Sequence, residues 1–303
     1  MNKADMLYDL SAVWAAAKDV FPYFDRIDFD FDEFYYQCID KVLSVKDEYE
    51  FHMILKSFLE SLNDAHTRYH LPEKYTQKTN AQKLERPSFS MDGGVLTIKI
   101  NDLLFDHSDF VRQCLTDNPD ASMVRLDIRD NIGGNTFYGA KIAELFISGV
   151  FHGCQKWTQS IKANNLASAS QIANMSEERI QRYIDDGLMQ DDSYKNDLKI
   201  LKRTKYEEYI DTYGSQDHKA IYDGPLEVLI GKGTMSAAED MTAMFKSSKR
   251  GVLVGNPTYG STGSPYILHL RCGGRAQIVS VGYRLLDGTE FIGKGIEPDV
   301  ITK

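Results

Sequence analysis

Twice in this chain an apolar run of strand length ends at paired glycines and gives way to a helical pattern. No other feature restricts the fold as much. Met123 to Ile128 is followed by the turn Arg129-Asp130-Asn131-Ile132-Gly133-Gly134-Asn135, and then by Tyr138 to Ile147, which reads as a helix. Leu226 to Ile230 runs into Gly231 and Gly233, after which Ala237, Ala238, Met241, Met244 and Phe245 recur at helical spacing. Strand, glycine turn and helix in succession predict an α/β unit. Strand texture also covers Val95 to Ile100, Gly251 to Val254, Tyr266 to Leu270 and Ala276 to Tyr283. The chain from Gly93 onward therefore reads as an α/β core spanning 93–303.

The part before Gly93 has a different texture. Leu7, Leu10, Trp14, Ala17 and Phe21 step by three and four residues, and Phe51, Ile54, Leu55, Phe58, Leu59 and Leu62 do so again. That period predicts amphipathic helices, separated by Pro22 and the acidic run Asp28 to Glu33. Residues 1–75 thus form an N-terminal helical subdomain. Residues 76–92, polar and containing Pro87, read as a linker. Inside the core, 155–222 is polar and charged, with helical patterns around Ser176 to Gly187 and Asp197 to Tyr213. It reads as a mainly helical insertion, either a surface elaboration or a lid.

Composition removes several function classes. With 35 basic and 44 acidic residues the net charge is -9, so nucleic acid is not an expected partner, because phosphate binding needs clustered Lys and Arg. The one basic run, Lys199 to Lys205, is followed at once by Glu207 and Glu208. No stretch has the apolar length of a membrane span, and Met1 to Leu10 carries Lys3, Asp5 and Asp9 where a secretory leader would be apolar. Cys38, Cys114, Cys154 and Cys272 lie far apart with no C-x-x-C pair, which argues against a disulfide framework or zinc knuckle. Reduced thiols and a cytoplasmic location are the expectation.

The second glycine turn delivers a serine to a helix start. Ser236, in Gly233-Thr-Met-Ser-Ala-Ala-Glu239, stands where unpaired N–H groups and the helix dipole favour negative charge. It suits a nucleophile beside an oxyanion, but taken alone the segment reads more readily as an ordinary N-cap. A nucleophilic serine needs a base. His66 is the best placed of the seven histidines, in a polar break after an amphipathic helix, with Asp64 two residues before it. His66 and His70 are four apart, but Thr67 stands where a zinc protease needs glutamate. Gly133 and Gly134 permit a close backbone approach to a ligand. Gly255 to Thr262 has phosphate-loop glycine spacing without the lysine, its place being held by Ser261. The run Asp28, Asp30, Asp32, Glu33 reads as a solvated face rather than a calcium site. No metal or cofactor is expected.

These segments occur in a telling order: Leu62-Asn-Asp-Ala-His66-Thr, Leu126-Asp-Ile-Arg-Asp-Asn-Ile-Gly133-Gly134, Gly233-Thr-Met-Ser236-Ala-Ala-Glu239, Val252-Leu-Val-Gly-Asn-Pro-Thr-Tyr-Gly260 and Gly293-Lys-Gly-Ile-Glu-Pro-Asp299. The series resembles the C-terminal processing (tail-specific) peptidase family, which also includes the tricorn core protease and interphotoreceptor retinoid-binding protein. The resemblance implies a ClpP/crotonase-like α/β core, Ser236 as nucleophile and a peptide or protein substrate. It also implies an oxyanion hole formed by Gly133 or Gly134 with the amide of Ala237. The lysine of the tail-specific serine–lysine pair is replaced here by Ser261. Lys246 lies ten residues along the helix from Ser236, about 15 Å of rise and off its face. The chain therefore looks like the tricorn-like branch, with His66 as base. Asp64 or Glu290 would then orient the imidazole, since Ile292 stands where the tricorn glutamate aligns, and Glu239 would support the network. Only about 26 residues separate His66 from Gly93, too few for the PDZ domain that many members carry there. A non-catalytic binding protein on this fold and a small-molecule esterase or amidase are the alternatives. The sequence does not specify an oligomeric state.

Overall fold

The computed structural model describes residues 1–76, 85–158, 178, 180–181 and 208–302. Three helices open the chain, each started by a side-chain cap of the kind that satisfies orphan amides. In α1 (Lys3–Val20) the Asn2 side chain accepts from the Asp5 amide. In α2 (Phe31–Ser44) Asp30 accepts from the amides of Asp32 and Glu33. In α3 (Glu48–Glu60) Asp47 accepts from Glu50. The acidic run thus contains a helix cap, and Asp32 pairs with Lys18 at 2.6 Å.

The apolar stripes bury Leu10, Val13 and Ala17 of α1 and Phe51, Leu55, Phe58 and Leu59 of α3 in one core. The sequence boundary at 75 does not close this core. A short strand, β1 (Arg68–His70), pairs antiparallel with β10 (Arg275–Val279), which pairs in turn with β9 (Pro265–His269). Leu270, Cys272, Ala276, Ile278 and Val279 from these C-terminal segments complete the helical unit's interior.

The main sheet has six strands: β2 (Ser88–Asp92), β3 (Val95–Lys99), β4 (Met123–Asp127), β7 (Leu226–Ile230), β8 (Val252–Gly255) and β12 (Val300–Ile301). Their spatial order is β12-β8-β7-β4-β3-β2. All neighbours are parallel except β2, which runs antiparallel at the edge. Parallel neighbours need crossovers, and helices occupy them: α4 (Ser108–Asp117) between β3 and β4, α5 (Thr136–Ala143) after β4, and α6 (Ala237–Ser248) between β7 and β8. Leu96, Ile98, Val124, Leu126, Val228 and Ile230 are fully buried in this sheet.

Three expectations are corrected. The end of the 76–92 linker is a strand, because β2 finds the open edge of β3. The run 276–283 is two strands, β10 and β11 (Gly282–Arg284), which belong to different sheets. The helical pattern over 197–213 gives way at its end to β6 (Glu208–Tyr213), paired antiparallel with β5 (Phe151–Trp157). Tyr209, Ile210, Thr212 and Tyr213 are aromatic or β-branched, and a partner strand lets that preference win. In the 155–222 insertion the described ends are therefore strand, Glu178, Ile180 and Gln181 are helical, and most of the rest lies outside the described residues. The sheet β11-β5-β6 packs through β5 on α6.

Among the described residues, no helix is long and apolar enough to cross a membrane. All four cysteines are unpaired and buried.

Candidate active site

Both glycine turns leave the carboxyl ends of neighbouring parallel strands, β4 and β7. That edge is where open α/β sheets expose their loops to a ligand. Ser236 occupies the N-cap position of α6, yet its side chain makes no capping hydrogen bond. Its backbone has φ +56° and ψ −130°, a conformation that costs a side-chain-bearing residue of order 1–3 kcal/mol. Neighbouring bonds over-determine it. The Ser236 N–H donates to the Ser261 carbonyl at 2.9 Å, Met235 N–H to the Asn131 carbonyl at 2.9 Å, and Glu239 N–H to the Ser236 carbonyl at 2.8 Å. Thr234 Oγ1 donates to the Ile128 carbonyl at 2.7 Å, pinning the second turn against the first. The side chain that would cap is turned outward instead, as at a nucleophile elbow.

His66 sits in a tight turn after α3. Its own amide donates to Asp64 Oδ1 at 2.9 Å and its carbonyl accepts from Gln277 Nε2 at 2.9 Å, so β10 fixes the turn. The ring then lies between two hydroxyls. Nε2 is 3.2 Å from Ser236 Oγ, and Nδ1 is in hydrogen-bond contact with Ser261 Oγ. Burial, with a smaller push from the Arg68 charge, lowers the imidazole pKa from 6.5 to about 4. The ring is therefore neutral at physiological pH, as a base must be.

The two candidate oxyanion glycines separate. The Gly133 amide donates to Asn131 Oδ1 at 2.9 Å and so is committed. The Gly134 and Ala237 amides donate to no protein group among the described residues. Gly133 matters by shape: a Cβ there would lie 2.5 Å from the Met235 carbonyl oxygen and 2.6 Å from Ser236 Cβ. Only glycine lets the two turns touch. Asn131 organises the pair, since its amide group also donates to the Ile100 carbonyl at 2.9 Å.

The acids fall otherwise than the sequence suggests. Asp64 is bonded to the His66 backbone and not to the ring. Glu290 pairs with Arg26 at 3.2 Å. Asp64 takes an amide of its own turn, and Glu290 takes a guanidinium brought to it from the N-terminal region. Glu239 is fully buried and accepts three hydrogen bonds: Thr258 Oγ1 at 2.5 Å and Gly260 N–H at 2.7 Å on Oε1, and Ser261 N–H at 2.7 Å on Oε2. Burial raises its pKa from 4.5 to about 7 against those three donors. Asp240 accepts from Thr136 Oγ1 at 2.5 Å and Thr262 Oγ1 at 2.9 Å. Burial raises its pKa too, with Lys156 opposing. The first turn of α6 thus carries two buried acids that bind the neighbouring loops.

Lys246 donates to the Glu297 carbonyl at 3.0 Å, at the far end of α6. His70 is bonded to Gln277 at 3.1 Å. Among the described residues no group of three or more His, Cys, Asp or Glu could hold a metal ion. Asn131, Thr258, Asp240 and the role of Ser261 were not found from the sequence. The segment 255–262 did stand out there, for its glycine spacing, and its backbone is what Glu239 binds.

Comparison with known proteins assigns the class. The profile of peptidase family S41 matches residues 94–302, and the chain belongs to that family. A 90-residue segment is 30% identical to the chloroplastic C-terminal processing peptidase of Tetradesmus obliquus, covering 30% of this chain and 19% of that protein. A 90-residue match to carboxyl-terminal-processing peptidase 2 of Arabidopsis thaliana is 32% identical and covers 29% and 18%. The match thus spans about a fifth of the length of these curated relatives. Among solved structures, mature CPAF superposes with a TM-score of 0.70 at 11% identity, over 99% of this chain and 92% of its own. The photosystem II D1 C-terminal processing protease gives 0.59 at 14% identity, over 98% and 93%. The tricorn protease gives 0.54 at 10%, over 99% of this chain and 34% of its own. At these identities the likeness establishes the fold.

Proposed function

We propose that this chain is a serine peptidase that hydrolyses peptide bonds of peptide or protein substrates through an acyl-enzyme. Ser236 is the nucleophile and His66 the general base. His66 Nε2 takes the hydroxyl proton as Ser236 Oγ bonds to the substrate carbonyl carbon. The carbonyl oxygen gains charge and is held by the free N–H groups of Gly134 and Ala237, roughly 3 kcal/mol per donor. The imidazolium then protonates the leaving amine, the C–N bond breaks and the acyl group stays on Ser236. Water attacks this ester with His66 again as base, releasing the acid and restoring the serine.

The observation that carries this reading is the 3.2 Å approach of His66 Nε2 to the uncapped hydroxyl of Ser236. Spare amides alone would fit a binding site; a strained serine aimed at a neutral imidazole is what nucleophilic attack requires. The test is treatment of the folded protein with a fluorophosphonate, followed by peptide mapping. A single adduct on Ser236 is expected. An unmodified Ser236 in protein that is still folded would exclude the nucleophile role and leave a binding protein. A panel of peptides and small esters separates peptidase from esterase.

A further inference from the structure

We propose that Ser261 orients His66, in the place that a carboxylate takes in a Ser-His-acid triad, and that Glu239 holds Ser261 there. The inference rests on the peptidase reading above and extends it to the residues behind the base. Three contacts carry it. The Ser261 hydroxyl meets His66 Nδ1. The Ser261 carbonyl accepts the Ser236 N–H at 2.9 Å. The Ser261 N–H donates to Glu239 Oε2 at 2.7 Å. One buried residue therefore touches nucleophile, base and clamp together.

Among the described residues no acid hydrogen-bonds the ring. Asp64 binds the His66 backbone, Glu290 binds Arg26, and both oxygens of Glu239 are occupied by Thr258, Gly260 and Ser261. Among the described residues the Nδ1 partner is a neutral hydroxyl. A hydroxyl can accept a hydrogen bond from Nδ1–H and so aim the Nε2 lone pair at Ser236, but it brings no charge to stabilise the imidazolium. Among the described residues, the charge that acts on the ring is Arg68 on β1, while Asp64 lies in its own turn and Glu239 on α6 binds Ser261. The structure thus describes a base that is well oriented and weakly supported by charge.

Two measurements on the full chain test the role. Nitrogen-15 NMR of the imidazole should find His66 protonated on Nδ1 in the wild type and mixed between nitrogens in Ser261→Ala; a wild-type Nε2–H form, or an unchanged Ala variant, overturns the proposal. In peptide hydrolysis, Ser261→Ala should lower kcat roughly 10- to 100-fold with KM retained, the expected loss for a hydrogen bond to a group that becomes charged. Ser261→Thr should recover part of it. Ser261→Asp adds a negative charge beside the ring and should move the acid limb of kcat/KM upward from about pH 4. Wild-type kinetics from the Ala variant, or an unmoved limb in a folded Asp variant, overturn the assignment. Failure of the peptidase reading looks different: no wild-type hydrolysis and no Ser236 adduct, with the NMR result still readable.

Discussion

Replacing Glu239 by Gln removes a charge from the interior while nearly keeping the side chain's shape. Glu239 is fully buried, and burial raises its pKa from 4.5 to about 7. A carboxyl whose folded pKa lies above its unfolded value holds its proton more tightly in the fold. Its contribution to stability is complete below about pH 4.5 and is lost as pH rises through about 7. The gap between those two values is worth about 3 kcal/mol. Gln does not titrate, so the unfolding free energy of the wild type minus that of Glu239→Gln should fall by about 3 kcal/mol between pH 4.5 and 8. Urea titrations of both proteins at several pH values measure this. Asp240 and Asp64 also have raised pKa values, but they remain in both proteins and largely cancel in the difference. Activity should move the other way. The ionised carboxylate is the form that accepts from Thr258, Gly260 and Ser261. Gln keeps one oxygen for the first two donors and turns an N–H₂ toward the Ser261 N–H, two donors face to face. The variant should therefore lose kcat at pH 8, where it gains stability. A stability difference that does not change with pH would refute the reasoning.

Further outcomes follow from the same geometry. His66→Ala should lower kcat/KM by roughly 10⁴-fold or more, whereas Lys246→Ala should leave it near wild type, because Lys246 is bonded at the far end of α6; steady-state peptide hydrolysis decides, and the reverse pattern would move the base to the lysine. Gly133→Ala should abolish labelling of Ser236, since its Cβ would overlap the Met235 carbonyl and Ser236. Gly93→Ala, also at positive φ but with nothing within 4 Å, should cost only about 1–2 kcal/mol of stability and keep full labelling. With His66 at about 4 and Glu239 at about 7, kcat/KM should rise in two steps, the first through about pH 4 as His66 loses its proton and the second near pH 7 as Glu239 does; the second step should vanish in Glu239→Gln.

Much of the architecture is legible in local sequence because its signals are local. The three- and four-residue steps of Leu10, Ala17, Phe51, Leu55 and Phe58 mark helices that the structure contains, and the apolar runs at 95, 123 and 226 mark buried parallel strands. The glycine turns announce where strands end, and Ser236 follows the second of them. The misreading at β6 is of the opposite kind. β6 is a strand because the distant β5 accepts it, and no local pattern reports a partner's edge; β2 folds back on β3 through the Gly93-Gly94 turn, a hairpin signal that is local but lies at the end of a polar stretch.

The same division holds at the site. Local sequence supplies the residues from which a site could be assembled, a serine at a helix start, a histidine in a polar turn and glycines able to approach a ligand, because helix periodicity and glycine chemistry act over a few residues. Which of them meet is settled by the packing of the whole chain. His66 reaches Ser236 across 170 positions and Ser261 across 195, while Asp64 and Glu290, equally plausible in one dimension, bind elsewhere. A side chain's partner is fixed by where β10 carries the His66 turn and where Glu239 holds the 258–261 loop. Those positions are set by packing between segments distant in sequence.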